Sequence, residues 1–508
     1  MRARLMFADR DFRAEHTARE GEEDLIADLD LGTLWATMAQ RDEVVLQSAR
    51  AALLDGLTEP EQIRYRQAVL ADCLANREIV REIYALAVKA VDDERHVYRS
   101  LFGDRGEALV RRSVTVLELY MGALKRLRQV AEQSAERFHS DGFTAFFQTI
   151  RNELDDDYFQ EVSAQLEALR FRRGVVATAR LGKLGQGVDY VLRAPRRGHR
   201  LLRFLPPSIG RPSFSWTVPP RDEAGGQAMS ALADRVVALV ADAVGQSADH
   251  VTSFFAALRV ELGFYVGAIN LHERLSAKGE PLTMPAPHPR GNLIHSARGL
   301  YDPCLSLRLE RRAQGNDLHA DGRPLIMITG ANQGGKSTFM RSIGLAQLMM
   351  QAGMFVAADQ YAAAIAGGVF THYKREEDVT MVSGKFNEEL ARMSRLTRAI
   401  TSGDLLLCNE SFAATNEREG SEIAAELIRA MTENGNTVVF VTHLYELASR
   451  FHAQHADMTV FLRADRDSTG ARSFQLREAG PLPTSFGEDL YRQVFAQAPG
   501  SEPVARQP

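Results

Sequence analysis

A run of apolar residues, Pro324-Leu325-Ile326-Met327-Ile328-Thr329, leads without a break into Gly330-Ala331-Asn332-Gln333-Gly334-Gly335-Lys336-Ser337-Thr338. Few patterns restrict a fold as tightly. The spacing G-x-x-x-x-G-K-[ST] follows a strand-like segment, and Phe339, Ile343, Leu345 and Leu348 continue at helical spacing. Together they predict strand, loop and helix in that order. Glycines let successive N–H groups face one centre, and the start of a helix adds the positive end of its dipole. Residues Gly330 to Thr338 are therefore expected to contact phosphate, with Lys336 supplying charge to the terminal groups. The Ser337 hydroxyl is an oxygen ligand suited to Mg²⁺.

Phosphate chemistry on such a loop needs an acid at the end of a neighbouring strand, and Leu405-Leu406-Leu407-Cys408-Asn409-Glu410 provides one. Glu410 is the candidate general base for an attacking water. Asn409 stands where this class of site usually has a metal-associated aspartate. Asp404 cannot replace it, lying at the other end of a strand roughly 16 Å long at about 3.3 Å per residue. A third strand, Thr437 to Thr442, delivers His443. A histidine placed there can hydrogen-bond a γ-phosphate and respond to its loss. His443, His452 and His455 match no common zinc spacing.

Upstream the texture is different. From about residue 20 to 170, apolar residues recur at three, four and seven, as in Val69, Cys73, Val80 and Ile83 or Val114, Leu117, Met121 and Leu124. That periodicity predicts a helical bundle. Between Arg170 and Pro220 glycine, proline and alternating stretches such as Val188 to Arg193 predict short strands and turns. Helix returns near Ala228 and runs to Leu271 as a lever, closed by Lys278-Gly279-Glu280-Pro281 and a proline-rich linker, Pro285 to Asn292. With no charge-free run of 18 apolar residues and no apolar segment behind the basic start, neither a membrane span nor a secretory signal is expected. Three scattered cysteines form no disulfide framework and fit a reducing, cytoplasmic setting.

Charge is unevenly spread. Arg170 to Arg211 carries eleven Lys or Arg residues against the single acid Asp189, in a chain of net charge −5. A solvated face would mix both signs, so this segment is expected to grip phosphates. Its candidate nucleic-acid contacts are Arg172, Arg173, Arg180, Lys183, Arg193, Arg196, Arg197 and Arg200.

These residues resemble the MutS family of mismatch-repair ATPases. The stretch Gly330 to Ala358 is similar to that family's phosphate loop and following helix, and Phe370-Thr371 with Glu376-Glu377-Asp378 to its next segment. Ser383-Gly384-Lys385-Phe386-Asn387-Glu388-Glu389-Leu390 looks like its signature segment. Asn416 to Gly420, Thr442 to Leu447 and Ser485-Phe486-Gly487 resemble the loop after the second acidic motif, the histidine switch and the closing motif. Over Gly299 to Gly487 the likeness is specific; upstream it is architectural. Departures are Asn409 for the family's Asp, Ser-Gly-Lys-Phe for Ser-Thr-Phe, no Phe-x-Glu wedge and no following nuclease-like domain.

The resemblance implies a multidomain chain: a helical core and lever with a small basic β-containing tip, then an α/β P-loop, ABC-type ATPase domain. The expected boundaries are 1–169 helical core, 170–221 basic clamp-like segment, 222–290 lever and linker, 291–490 ATPase and 491–508 tail. It also implies ATP and Mg²⁺ as cofactors, with Ser337 and Asn409 at the metal. Ser383 and Gly384 would cover the nucleotide of a second copy, giving a C₂ homodimer. The expected activity is a DNA-stimulated ATPase acting as an ATP-gated clamp on duplex, mismatched or branched DNA. The alternative is a nucleotide-gated scaffold, slowed by Asn409, that binds RNA or an acidic protein.

Overall fold

The computed structural model describes residues 1–97, 106–171, 176–183, 187–193, 217–219, 221–331, 333–375, 384–466 and 472–482. Helices come first, as their periodicity requires. They are α1 (Glu22–Asp28), α2 (Leu31–Ala39), α3 (Glu43–Leu54), α4 (Pro60–Ala75), α5 (Arg77–His96), α6 (Gly106–Ser134), α7 (Asp141–Glu153) and α8 (Asp156–Leu169). Strands β1 (Val176–Leu181) and β2 (Gly187–Arg193) form an antiparallel hairpin with a bulge between Thr178 and Arg180. One helix of 54 residues, α9 (Glu223–Ser276), then runs through Gly245, Gly263 and Gly267 without a break.

The rest alternates strand and helix: β3 (Ala286–His288), β4 (His295–Leu300), α10 (Pro303–Arg308), β5 (Asn316–His319), β6 (Leu325–Gly330), α11 (Lys336–Gln351), β7 (Gln360–Ala364) and β8 (Val369–Tyr373). Then follow α12 (Lys385–Ala399), β9 (Leu405–Asn409), α13 (Glu417–Glu433), β10 (Thr437–Val441), α14 (Tyr445–Gln454), β11 (Thr459–Arg466) and β12 (Arg472–Glu478). The expected linker Pro285–Asn292 is thus part strand. Pro287 is tolerated because β3 is the edge of the sheet β3-β7-β4-β5, where a missing N–H breaks no ladder.

The chain divides into two compact units. One holds residues 1–4, 78–139 and 143–259; the other holds 5–77, 140–142 and 260–508. Residues 1–169 are largely helical as expected, yet they do not form one body, because 5–77 belong to the second unit. The physical reason lies in α11, of whose 16 residues 13 are buried. A helix buried on nearly every side needs cover away from its sheet. Leu29 supplies part of that cover, standing so near Gly344 that a Cβ there would meet its Cδ2 at 2.9 Å.

Six strands make the main sheet of this unit, in the order β12-β11-β6-β10-β9-β8, all parallel except β12. Both faces are covered, so the central strands read as continuous apolar runs. Leu325, Met327, Leu406, Cys408, Val438 and Phe440 share one core with α12, α13 and α14 residues such as Leu396, Ile428 and Leu447. Leu407 points the other way, toward Gly344 of α11.

In the first unit, Phe138, Phe143, Phe146 and Phe147 form an aromatic cluster. Tyr120 stacks on Phe255 and donates to Thr252 at 2.9 Å. Among the described residues, one stretch, Val240–Ser276, is long and apolar enough by composition to cross a membrane. Its apolar window is 78% buried inside the fold, the behaviour of a core helix.

Candidate phosphate site

At the carboxyl ends of β6, β9 and β10 the parallel sheet opens, the place where α/β sheets present their sites. The turn from β6 to α11 explains its glycines. Gly330 has φ of 102°, and a Cβ there would lie 2.6 Å from the Ala464 carbonyl oxygen. Gly335, with φ of 93°, is the cap that starts α11. Gln333 takes the left-handed conformation as well, at φ of 58°. Ala331 is buried behind the turn, and a Cβ on Gly334 would meet the Ala464 side chain at 2.8 Å. Asn332 lies outside the described residues.

Lys336 is buried, and its Nζ donates to the Gly330 and Ala331 carbonyls at 2.8 and 3.2 Å. Burial pushes its pKa down, and the Glu410 carboxylate opposes that shift. Ser337 Oγ donates to Asn409 Oδ1 at 2.8 Å, so the serine of the loop and the asparagine ending β9 are brought together. Glu410 follows in the left-handed region at φ of 53°, its N–H held by the Val441 carbonyl at 2.9 Å. His443 Nδ1 stands 4.0 Å from Glu410 Oε1 and is exposed.

A cavity of about 690 Å³ gathers most of these groups, while His443 is not part of its lining and adjoins it through Glu410. Gln333, Gly335, Lys336, Ser337, Thr338 and Glu410 line it. Gly330, Ala331 and Gly334 build the turn behind, while Asn409 touches it through Ser337. Two aromatic wall residues, Tyr301 and Phe474, are distant from the loop in sequence and carry no mark of belonging to it. No spacing rule ties either to the glycine motif. Gly384 caps α12, away from the cavity lining, and Ser383 is outside the described residues. Asp404 lies at the far end of β9, bonded to Thr401, Asn436 and Arg290.

Of the basic segment, Arg180, Lys183 and Arg193 are described and exposed; Arg172, Arg173, Arg196, Arg197 and Arg200 are outside the described residues. Arg180 faces Asp189 across the hairpin at 3.7 Å, and Arg193 Nε donates to Thr178 Oγ1 at 3.3 Å. Arg170, first of the eleven cations, is committed elsewhere: it pairs with Glu118 of α6 at 2.7 Å.

A parallel sheet with helices on both faces, whose inner strand turns through a glycine loop into a buried helix, defines an α/β class with an anion cradle at the strand ends. Residues 58–278 match the family model described as the MutS2 N-terminal domain, and residues 326–498 match MutS domain V. The chain belongs to the MutS family. The upstream likeness, expected to be architectural only, therefore extends through the helical region and lever. Over 153 residues it is 33% identical to the DNA mismatch repair protein MutS of Prochlorococcus marinus, covering 30% of this chain and 17% of that one. It is 35% identical over 149 residues to the DNA mismatch repair protein MSH3 of Arabidopsis thaliana, covering 29% and 14%. With the DNA mismatch repair protein MutS 2 of Halobacterium salinarum it shares 29% over 184 residues, covering 35% and 21%. The matched stretch thus spans about a fifth or less of these relatives' length.

Proposed function

We propose that the chain binds ATP with Mg²⁺ in the Gly330–Thr338 cradle, hydrolyses it with Glu410 as general base, and uses the cycle to govern how two copies grip DNA. The observation that carries this reading is the convergence of Lys336, Ser337 and Glu410 on one cavity, with Asn409 bonded to Ser337. Lys336 is already dehydrated and exchanges its two carbonyl partners for the terminal phosphates. Ser337 Oγ and Asn409 Oδ1 are hard oxygen donors of the kind Mg²⁺ takes. Bound there, the ion would neutralise charge on the terminal phosphates. Glu410 accepts a proton from the water that attacks the γ-phosphorus as the bridge to the β-phosphate breaks. His443, beside it, hydrogen-bonds the γ-phosphate and responds to its loss.

In this reading Ser383 and Gly384 of a second copy close over the nucleotide, so that ATP joins two ATPase domains in a C₂ dimer. Arg180, Lys183 and Arg193, with their basic neighbours in sequence, meet the DNA backbone. The relatives are named for DNA mismatch repair, which supports recognition of mismatched or branched DNA in the cytoplasm or nucleoid as the role of the grip. Asn409 favours one second reading, a slow nucleotide-gated scaffold, because an amide holds the metal less firmly than a carboxylate. The test is ATP hydrolysis with Mg²⁺, alone and with duplex, mismatched and branched DNA. Turnover that changes with DNA is expected. Tight nucleotide binding without turnover favours the scaffold, and absence of nucleotide binding removes both readings.

A further inference from the structure

Beside the cavity, behind Glu410, lies a buried polar network that joins Glu389, inside the signature-like segment, to residues of β8 and of the turn after β9. Glu389 of α12, 8% exposed, accepts the Phe412 N–H at 2.6 Å. Fully buried His372 of β8 meets Ser411 Oγ through Nδ1 at 2.7 Å, and the same hydroxyl donates to the His372 carbonyl at 2.9 Å. The His372 Nε2 lies 3.3 Å from the Glu389 carbonyl oxygen, so the ring touches α12 as well. Arg392 of α12 stands 3.4 Å from Nε2 and donates to the Tyr373 carbonyl. Burial and the Arg392 charge push the His372 pKa down to about 3, so the ring stays neutral. It also lies against the Phe412 ring, with centroids 5.9 Å apart and planes 27° from parallel.

These contacts hold a backbone that would not hold itself. Glu410 and Phe412 both sit in the left-handed region, at φ of 53° and 64°, where a side chain costs about 1 kcal/mol or more. Strain of that kind persists only where neighbours over-determine the conformation. Here the ties come from α12, where Glu389 holds the Phe412 N–H, and from β8, where His372 holds Ser411.

We propose that Glu389 is a positioning residue for hydrolysis: by holding the Phe412 N–H it fixes the turn that aims Glu410, so that turnover depends on how α12 is seated. The inference rests on Glu410 being the base. It links the helix that begins at Gly384 to the strand-end acid by three bonded steps, α12 to Phe412, α12 to His372 and His372 to Ser411.

The test uses the full chain and four variants. Glu389→Asp withdraws the acceptor by one methylene and should lower kcat about tenfold, with KM for ATP and nucleotide affinity unchanged. Glu389→Gln keeps an oxygen that can accept the Phe412 N–H and should hydrolyse within about twofold of the parent. Adding Glu389→Asp to Glu410→Gln should lower the residual rate no further, because a residue that acts through Glu410 has nothing left to position. Parental turnover in Glu389→Asp, equal losses in the Asp and Gln variants, or an additive loss in the double variant would each overturn the proposal. Glu410→Gln at the parental rate would remove the base assignment and this proposal together. A slow Glu410→Gln beside a fast Glu389→Asp removes this proposal alone.

Discussion

The loop from Gly330 to Lys336 and the hairpin of β1 and β2 are both turns between regular elements, and both carry cations suited to phosphate. They differ in what fixes those cations. Lys336 is buried, bonded to two named carbonyls, and carried on a turn where close approach to Ala464 requires Gly330 and Gly334. Arg180 is 84% exposed and meets Asp189 only at 3.7 Å. A cradle works by geometry, so each position is specified; a basic patch works by summed charge, so no single position is. That difference sets the sizes of the effects expected from mutation.

The largest is at the loop. Lys336→Ala removes a charge-assisted interaction from a dehydrated site, worth about 3 kcal/mol, or roughly a hundredfold in ATP affinity. Calorimetric titration of the variant checks it, and retained affinity would place the cradle on the same footing as the patch. Next comes the basic segment, probed by neutralising Arg193, Arg196, Arg197 and Arg200 together. The slope of log K for duplex DNA against log salt should fall by about 0.9 for each phosphate no longer neutralised, with little change in sequence preference. ATP hydrolysis without DNA should survive. An unaltered slope takes the hairpin out of the DNA-binding surface. The smallest effect belongs to Asn409→Asp, which puts a carboxylate beside Ser337 Oγ and should lower the Mg²⁺ concentration for half-maximal activity a few-fold. An unchanged Mg²⁺ dependence would mean that the Asn409 amide serves the metal as well as a carboxylate.

What is legible in the sequence follows the same division. The strands before Gly330, Glu410 and His443 are legible because buried parallel strands are continuous apolar runs, and their last residues fall at the sheet's open end. The helical spacing of Val236 to Leu271 likewise points to a long helix. Its glycines do not mark boundaries, because Gly263 and Gly267 are packing positions, against Ser48 and against Met38 and Val45. Partition of the chain is not legible, since nothing in the spacing of α1 to α3 says that they cover α11 rather than the helices that follow them. Glu389, which lies in the signature-like segment, and His372 keep their contacts hidden for a related reason. Each is one polar residue on a buried face, and only their meeting at Phe412 and Ser411 gives them a task. His372 does carry the signal that marks His443, a histidine at the end of an apolar strand, but its segment speaks in sequence only through family likeness.

The central claim is that Glu410, held beside the cradle, performs the proton transfer that makes a phosphate-binding loop into an ATPase. Single-turnover hydrolysis by Glu410→Gln, measured next to its ATP affinity, tests that claim most directly. Loss of a general base should slow hydrolysis about a hundredfold or more while ATP binds as tightly as to the parent and the closed dimer accumulates. Hydrolysis at the parental rate would contradict it.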